Sequence, residues 1–133
     1  MPAAPAQTHL VFVYGTLKRG GSNHAYLAGQ TYRGDAALRP GFVLYSLGDY
    51  PGLVAEPENA ESVTGELWSV DALTLAKLDA LEGIDEGLYA RVPAPLDRWD
   101  SGLDDKTAAT AEMYLYLRPV TGRPRLGSSW PID

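Results

Sequence analysis

A carboxylate on an apolar stripe is the side chain in this sequence best placed to do chemistry. The segment "VDALTLAKLDALEG", Val70 to Gly83, has the spacing of a helix, with Asp71 as its N-cap and Gly83 as its stop. Helical residues turn by about 100° each, so Leu75, Leu78 and Glu82 fall in one narrow sector. Asp79 lies nearer the edge of that sector, and Lys77 points well away. A glutamate among inward-facing leucines loses hydration, which disfavours its charged form. The carbonyl dipoles at a helix C-terminus oppose negative charge as well. Both effects raise the carboxyl pKa towards the range of a general acid/base at neutral pH. A residue beside a helix stop can also twist out to solvent, so spacing alone leaves a surface Glu82 open.

The second candidate is a loop. In "VFVYGTLKRGGS", Val11 to Ser22, a hydrophobic run breaks at Gly15, and a Gly pair follows at Gly20 and Gly21. The phosphate-binding pattern G-x-x-x-x-G-K-[ST] needs a lysine where Gly21 stands, and no long helix follows directly, so a nucleotide loop is the weakest reading. A strand breaking into a glycine turn instead exposes backbone N–H groups, which can hold a polar ligand. Lys18 and Arg19 are either a source of positive potential there or simply solvated.

Other chemistry is sparse. The chain has no cysteine, which excludes disulfides, thiolate metal sites and cysteine nucleophiles. No G-x-S-x-G elbow or H-E-x-x-H motif occurs, and His9 and His24 are too isolated to suggest a metal set. The acids of "DRWDSGLDDKTAA" do not follow calcium-loop spacing, and the segment reads as a solvated hairpin loop. Tyr114 and Tyr116 alternate with Met113, Leu115 and Leu117 in an apparent strand, one face of which can line a pocket with phenol donors. Tyr89 and Arg91 share one face of another strand.

These residues need a frame. Strands are expected at Leu10–Tyr14, Gly34–Leu38, Phe42–Leu47, Val63–Val70, Tyr89–Ala94 and Ala111–Leu117, and a short helix in "SNHAYLAG". "LGDYPGLVAEPENAES" reads as loop around a short extended piece, and "RPVTGRPRLGSSWPID" as irregular. Many strands with one strong helix imply an α+β domain, a small closed or curled mixed β-barrel with flanking short helices. Residues 1–8 read as a loose tail and residues 9–133 as a single domain. The net charge of -6 argues against a nucleic-acid partner, and no apolar run is long enough to span a bilayer. The first residues lack the basic and apolar regions of a secretory signal, so the expected location is the cytoplasm.

Two of these features together resemble one family. "VFVYGTLKRG" followed by "NHAYL", and then "LDALEG" followed by "LYAR", are similar to the signature segments of the gamma-glutamylcyclotransferase-like superfamily, above all its gamma-glutamylamine cyclotransferases and small bacterial and plant members. "GELWSV" and "MYLYL" fit the same pattern, so the resemblance runs from Val11 to Leu117. It implies a compact barrel with a pocket at one end, and an enzyme that releases 5-oxoproline from a γ-glutamyl amine, amino acid or peptide without a cofactor. It implies that Tyr14, Gly15, Thr16 and Leu17 hold the glutamyl group and that Glu82 is the catalytic acid/base, with Tyr89, Arg91 and Tyr116 as further pocket candidates. It also turns the balance at Glu82 from surface to pocket. The segment between the two motifs and the "DRWDSGLDDKTAA" loop depart from the relatives and leave the substrate open. A non-catalytic small-molecule binder or interaction protein on the same fold is the alternative.

Overall fold

The computed structural model describes residues 8–131. In chain order its elements are β1 (Thr8–Val13), a 3-10 turn (His24–Leu27), β2 (Thr31–Leu38), β3 (Phe42–Ser46), β4 (Pro51–Ala55), β5 (Thr64–Asp71), α1 (Ala72–Leu81), a second 3-10 turn (Ile84–Glu86), β6 (Tyr89–Pro93), β7 (Leu96–Trp99), α2 (Asp105–Ala108) and β8 (Glu112–Tyr116).

Six strands form one mixed sheet in the order β6-β8-β1-β5-β2-β7. β1 runs antiparallel to β5, from Thr8 opposite Asp71 to Val13 opposite Glu66, and parallel to β8 at its other edge. The two edge strands, β6 and β7, are consecutive in the chain and separated only by Ala94 and Pro95. So short a link reaches no more than about 10 Å. The edges of the sheet therefore meet at a corner, and the sheet is curled into the expected barrel. The hairpin of β3 and β4 forms a separate two-stranded sheet beside it.

The curl explains why β1 reads as an unbroken apolar run rather than an alternating one: both of its faces are covered. Leu10, Phe12 and Tyr14 pack into the barrel interior with Leu38, Leu53 and Met113. Val11 and Val13 face outward beneath α1, where they meet Leu27, Leu75 and Leu78. The helix starts as its sequence dictates, because Asp71 Oδ1 accepts the Thr74 N–H at 2.7 Å. It stops at Gly83, whose φ of 65° lies in the left-handed region.

Two local expectations hold: "SNHAYLAG" yields one turn of 3-10 helix, and the extended piece in "LGDYPGLVAEPENAES" is the short strand β4, with Leu53 completely buried against the core. One segment differs from expectation. "DRWDSGLDDKTAA" is not a solvated loop: it supplies most of β7 and all of α2, and buries Leu103 and Ala108. Its acids sit on the outward side, which hides the few apolar residues that anchor it. The irregular tail is pinned by backbone bonds from Ser46 to Pro124, Leu126 to Leu44 and Thr64 to Ser128. Thr8, placed in the tail from sequence, begins β1, while residues 1–7 lie outside the described residues.

Candidate active site

Beyond the end of β1 the chain cannot continue as a strand. Gly15 lies so close to the hairpin that a Cβ there would stand 2.7 Å from Pro51 Cγ, so the glycine is needed for close approach rather than for an unusual φ. The loop then folds on itself. Lys18 N–H bonds to Gly15 O at 3.1 Å and Asn23 N–H to Thr16 O at 2.9 Å, while Asn23 Nδ2 donates to Thr16 Oγ1 at 3.0 Å. A Cβ on Gly21 would lie 2.2 Å from the Thr16 carbonyl oxygen, which explains the second glycine pair without a phosphate.

Lys18 and Arg19 are not free charges at the loop tip. Lys18 Nζ donates to the Trp130 carbonyl at 2.7 Å. Arg19 donates through its backbone N–H and Nε to the buried Glu66 carboxylate at 3.0 and 3.1 Å, and its guanidinium lies 4.0 Å over the Tyr32 ring. Arg19 fastens the loop to the barrel, and Lys18 ties it to the C-terminal segment.

The loop, the end of α1 and the β3–β4 hairpin enclose a cavity of about 220 Å³. Its wall includes Tyr14, Gly15, Thr16, Leu17, Asn23, Tyr50, Pro51, Leu81, Glu82, Tyr89 and Tyr114. Among the residues lining it, Glu82 alone carries a charge. Burial pushes its carboxyl from 4.5 to about 7, with no compensating hydrogen bond or neighbouring cation. Across the cavity, the N–H groups of Gly15, Thr16 and Leu17 find no protein acceptor among the described residues. A carboxyl raised to about 7 thus sits opposite a row of unspent backbone donors.

Three buried phenols surround Glu82, and each hydroxyl is already engaged elsewhere. Tyr14 donates to the Tyr114 carbonyl at 2.6 Å, Tyr89 to the Pro51 carbonyl at 2.7 Å, and Tyr114 to Asp79 Oδ1 at 2.7 Å. Burial raises all three phenol pKa values, and Glu82 raises them further. The phenols keep their protons, and the donor role expected for the strand tyrosines goes to protein acceptors.

The residues singled out from sequence separate into two groups. Tyr14, Gly15, Thr16, Leu17, Glu82 and Tyr89 meet at the cavity. Arg91 and Tyr116 are not in its wall: Arg91 pairs with Asp79 and with Glu112 behind it, and Tyr116 packs on the Tyr89 ring with centroids 5.1 Å apart. Sequence reasoning overlooked Asn23, Tyr50 and Pro51, and carried Tyr116 rather than Tyr114 forward as a pocket candidate. Only alternation along β8 marked Tyr114, and that pattern does not say which face the cavity occupies.

With this geometry in view, comparison with known proteins is decisive. The family model described as gamma-glutamyl cyclotransferase, AIG2-like, matches residues 11–131. The chain belongs to that family. It is 38% identical to the gamma-glutamylcyclotransferase family protein YtfP of Escherichia coli over 123 residues, covering 92% of this chain and 96% of that one. It is 53% identical over 76 residues to a putative gamma-glutamylcyclotransferase of Vibrio cholerae, covering 57% of this chain and 64% of that protein, so the match spans under two thirds of that relative. Among solved structures, an AIG2-like protein from Mus musculus superposes with a TM-score of 0.70 at 26% identity, over 92% of this chain and 88% of the mouse chain. The curled sheet with short helices is therefore the gamma-glutamylcyclotransferase fold. No helix among the described residues is long and apolar enough to cross a membrane.

Proposed function

We propose that this family member releases 5-oxoproline from a small γ-glutamyl substrate, with Glu82 moving the proton. The observation that carries this reading is the unpartnered Glu82 carboxyl, held near 7, in a cavity otherwise lined by uncharged groups.

The reaction is an intramolecular aminolysis. The α-amine attacks the γ-carbonyl of the same glutamyl group, a five-membered lactam closes, and the C–N bond to the leaving amine breaks. No enzyme nucleophile is needed, in keeping with a chain that has neither cysteine nor a serine elbow. What the protein must do is hold the glutamyl chain bent, and pre-orientation of this kind supplies about 7–11 kcal/mol in favourable cases. The N–H groups of Gly15, Thr16 and Leu17 suit the substrate's carboxylate or carbonyl oxygens. Glu82, ionised, removes a proton from the α-ammonium and then delivers one to the departing nitrogen. A carboxyl titrating near 7 is suited to both halves of that cycle.

The test is to incubate the protein with γ-glutamyl amines, amino acids and peptides and to measure 5-oxoproline. Turnover of at least one of them is expected, with Glu82→Gln slower by about 10²–10⁴-fold and still folded. Normal turnover in Glu82→Gln removes the assignment. Binding across the panel with no product points instead to a non-catalytic binder.

A further inference from the structure

Behind the cavity lies a chain of three side chains that the reaction above does not use. Arg91 on β6 grips Asp79 Oδ2 and also approaches Glu112 on β8, at 3.5 Å. Asp79 Oδ1, one helical turn before Glu82, accepts the hydroxyl proton of Tyr114. Tyr114 itself is in the cavity wall. A phenol has one proton and two lone pairs, so once that proton is committed to Asp79 the oxygen offers only acceptor capacity to the cavity.

We propose that Asp79, braced by Arg91, is a positioning residue: it holds the Tyr114 proton away from Glu82 and leaves the Tyr114 oxygen as an acceptor for a ligand ammonium. The arrangement has two consequences. Glu82 is denied the hydrogen bond that would stabilise its anion and weaken it as a base. A substrate amine finds an acceptor beside the group that deprotonates it. The catalytic half of this proposal rests on the reading of Glu82 as proton carrier; the electrostatic half does not.

The groups around Glu82 leave few competing explanations. The phenols whose pKa Glu82 raises are Tyr14 just past β1, Tyr89 on β6 and Tyr114 on β8. Tyr50, from the β3–β4 turn, couples to Tyr89. Tyr14 and Tyr89 donate to main-chain carbonyls that no side-chain change would remove. Of the remaining charges near α1, Lys77, Asp85 and Glu86 are exposed, and Glu66 on β5 is taken by Arg19. The His24 ring is held at the Leu17 carbonyl, 2.9 Å away, against Trp68.

The test is an NMR titration of the Glu82 side-chain carboxyl in the free protein, which needs no substrate and stands whether or not 5-oxoproline is formed. The wild-type midpoint is expected near 7. Asp79→Leu releases the Tyr114 proton to the nearest acceptor, and the midpoint falls by about one pH unit. Asp79→Asn keeps an acceptor oxygen and stays near wild type, and Tyr114→Phe added to Asp79→Leu restores the higher midpoint. Equal shifts in Asp79→Asn and Asp79→Leu would mean that lost charge is the cause, and would overturn the proposal. Should Asp79→Leu fail to fold, Tyr114→Phe alone decides. An unmoved midpoint supports the proposal, and a rise of about one unit shows that Tyr114 had been donating to Glu82.

Discussion

Two glutamates in this protein, Glu66 buried and Glu82 partly buried, have opposite surroundings. Glu66, on β5, receives Arg19 N–H at 3.0 Å, Arg19 Nε at 3.1 Å and the Trp68 indole N–H at 3.1 Å. Glu82, just past α1, receives no side-chain hydrogen bond and is left with desolvation alone. The first is a fastening, tying the cavity loop to the barrel. The second is under-solvated on purpose, in the sense that the phenols best able to relieve it direct their protons elsewhere. On the proposed function, the carboxylate that lacks partners is the one that reacts, and the well-partnered one is structural.

The contrast can be broken at several points. Glu66→Ala leaves the indole N–H and the Arg19 backbone N–H without their acceptor, and is expected to cost about 2–4 kcal/mol, measured by urea unfolding. Because Arg19 then releases the loop, KM should rise along with the loss of stability.

Glu82→Gln should act in the other direction on stability. The folded carboxyl titrates near 7, against 4.5 without burial, so the folded state holds its proton over a range where the unfolded chain has lost it. Stability therefore falls as pH rises from about 4.5 to 7, by an amount approaching about 3 kcal/mol, and partial access from the cavity mouth reduces it. The glutamine variant lacks this loss. It is expected to match wild type near pH 4 and to exceed it by about 1–3 kcal/mol at pH 8, read from paired unfolding curves. A variant equally stable at both values would mean that Glu82 is ordinarily hydrated.

Lys18→Met is the smallest effect. Lys18 spends its ammonium on the Trp130 carbonyl, away from the cavity wall. Its loss should change stability by no more than about 1 kcal/mol and leave turnover unchanged. A marked loss of turnover would place the ammonium at the ligand.

How much of this was legible in the sequence depends on whether a feature is local. Asp71, Leu75, Leu78 and Gly83 follow from the period and caps of one helix; the same spacing put Glu82 on the apolar stripe but left a surface position open, and the family resemblance favoured the pocket. The break at Gly15 was visible, but its cause was not, because Pro51 comes from a hairpin far away in the chain. The same holds for Tyr114, Asp79 and Arg91, which meet only because β8 and β6 pair with Tyr114 opposite Arg91. Tyr116 was favoured over Tyr114 by position in the family pattern, and the register places Tyr116 opposite Tyr89, where it packs on that ring. The acidic stretch after Leu96 misled because its charges outnumber the residues that bury.

The central claim is that Glu82 works because it is buried and unpartnered, and the pH dependence of kcat/KM tests it most directly. That quantity reports the free enzyme. On a substrate that yields 5-oxoproline, it should climb about tenfold per pH unit on the acid side and level off near pH 7, where Glu82 becomes ionised. An acid limb near 4.5, the value of an unburied glutamate, or a profile flat through neutrality, would contradict the account.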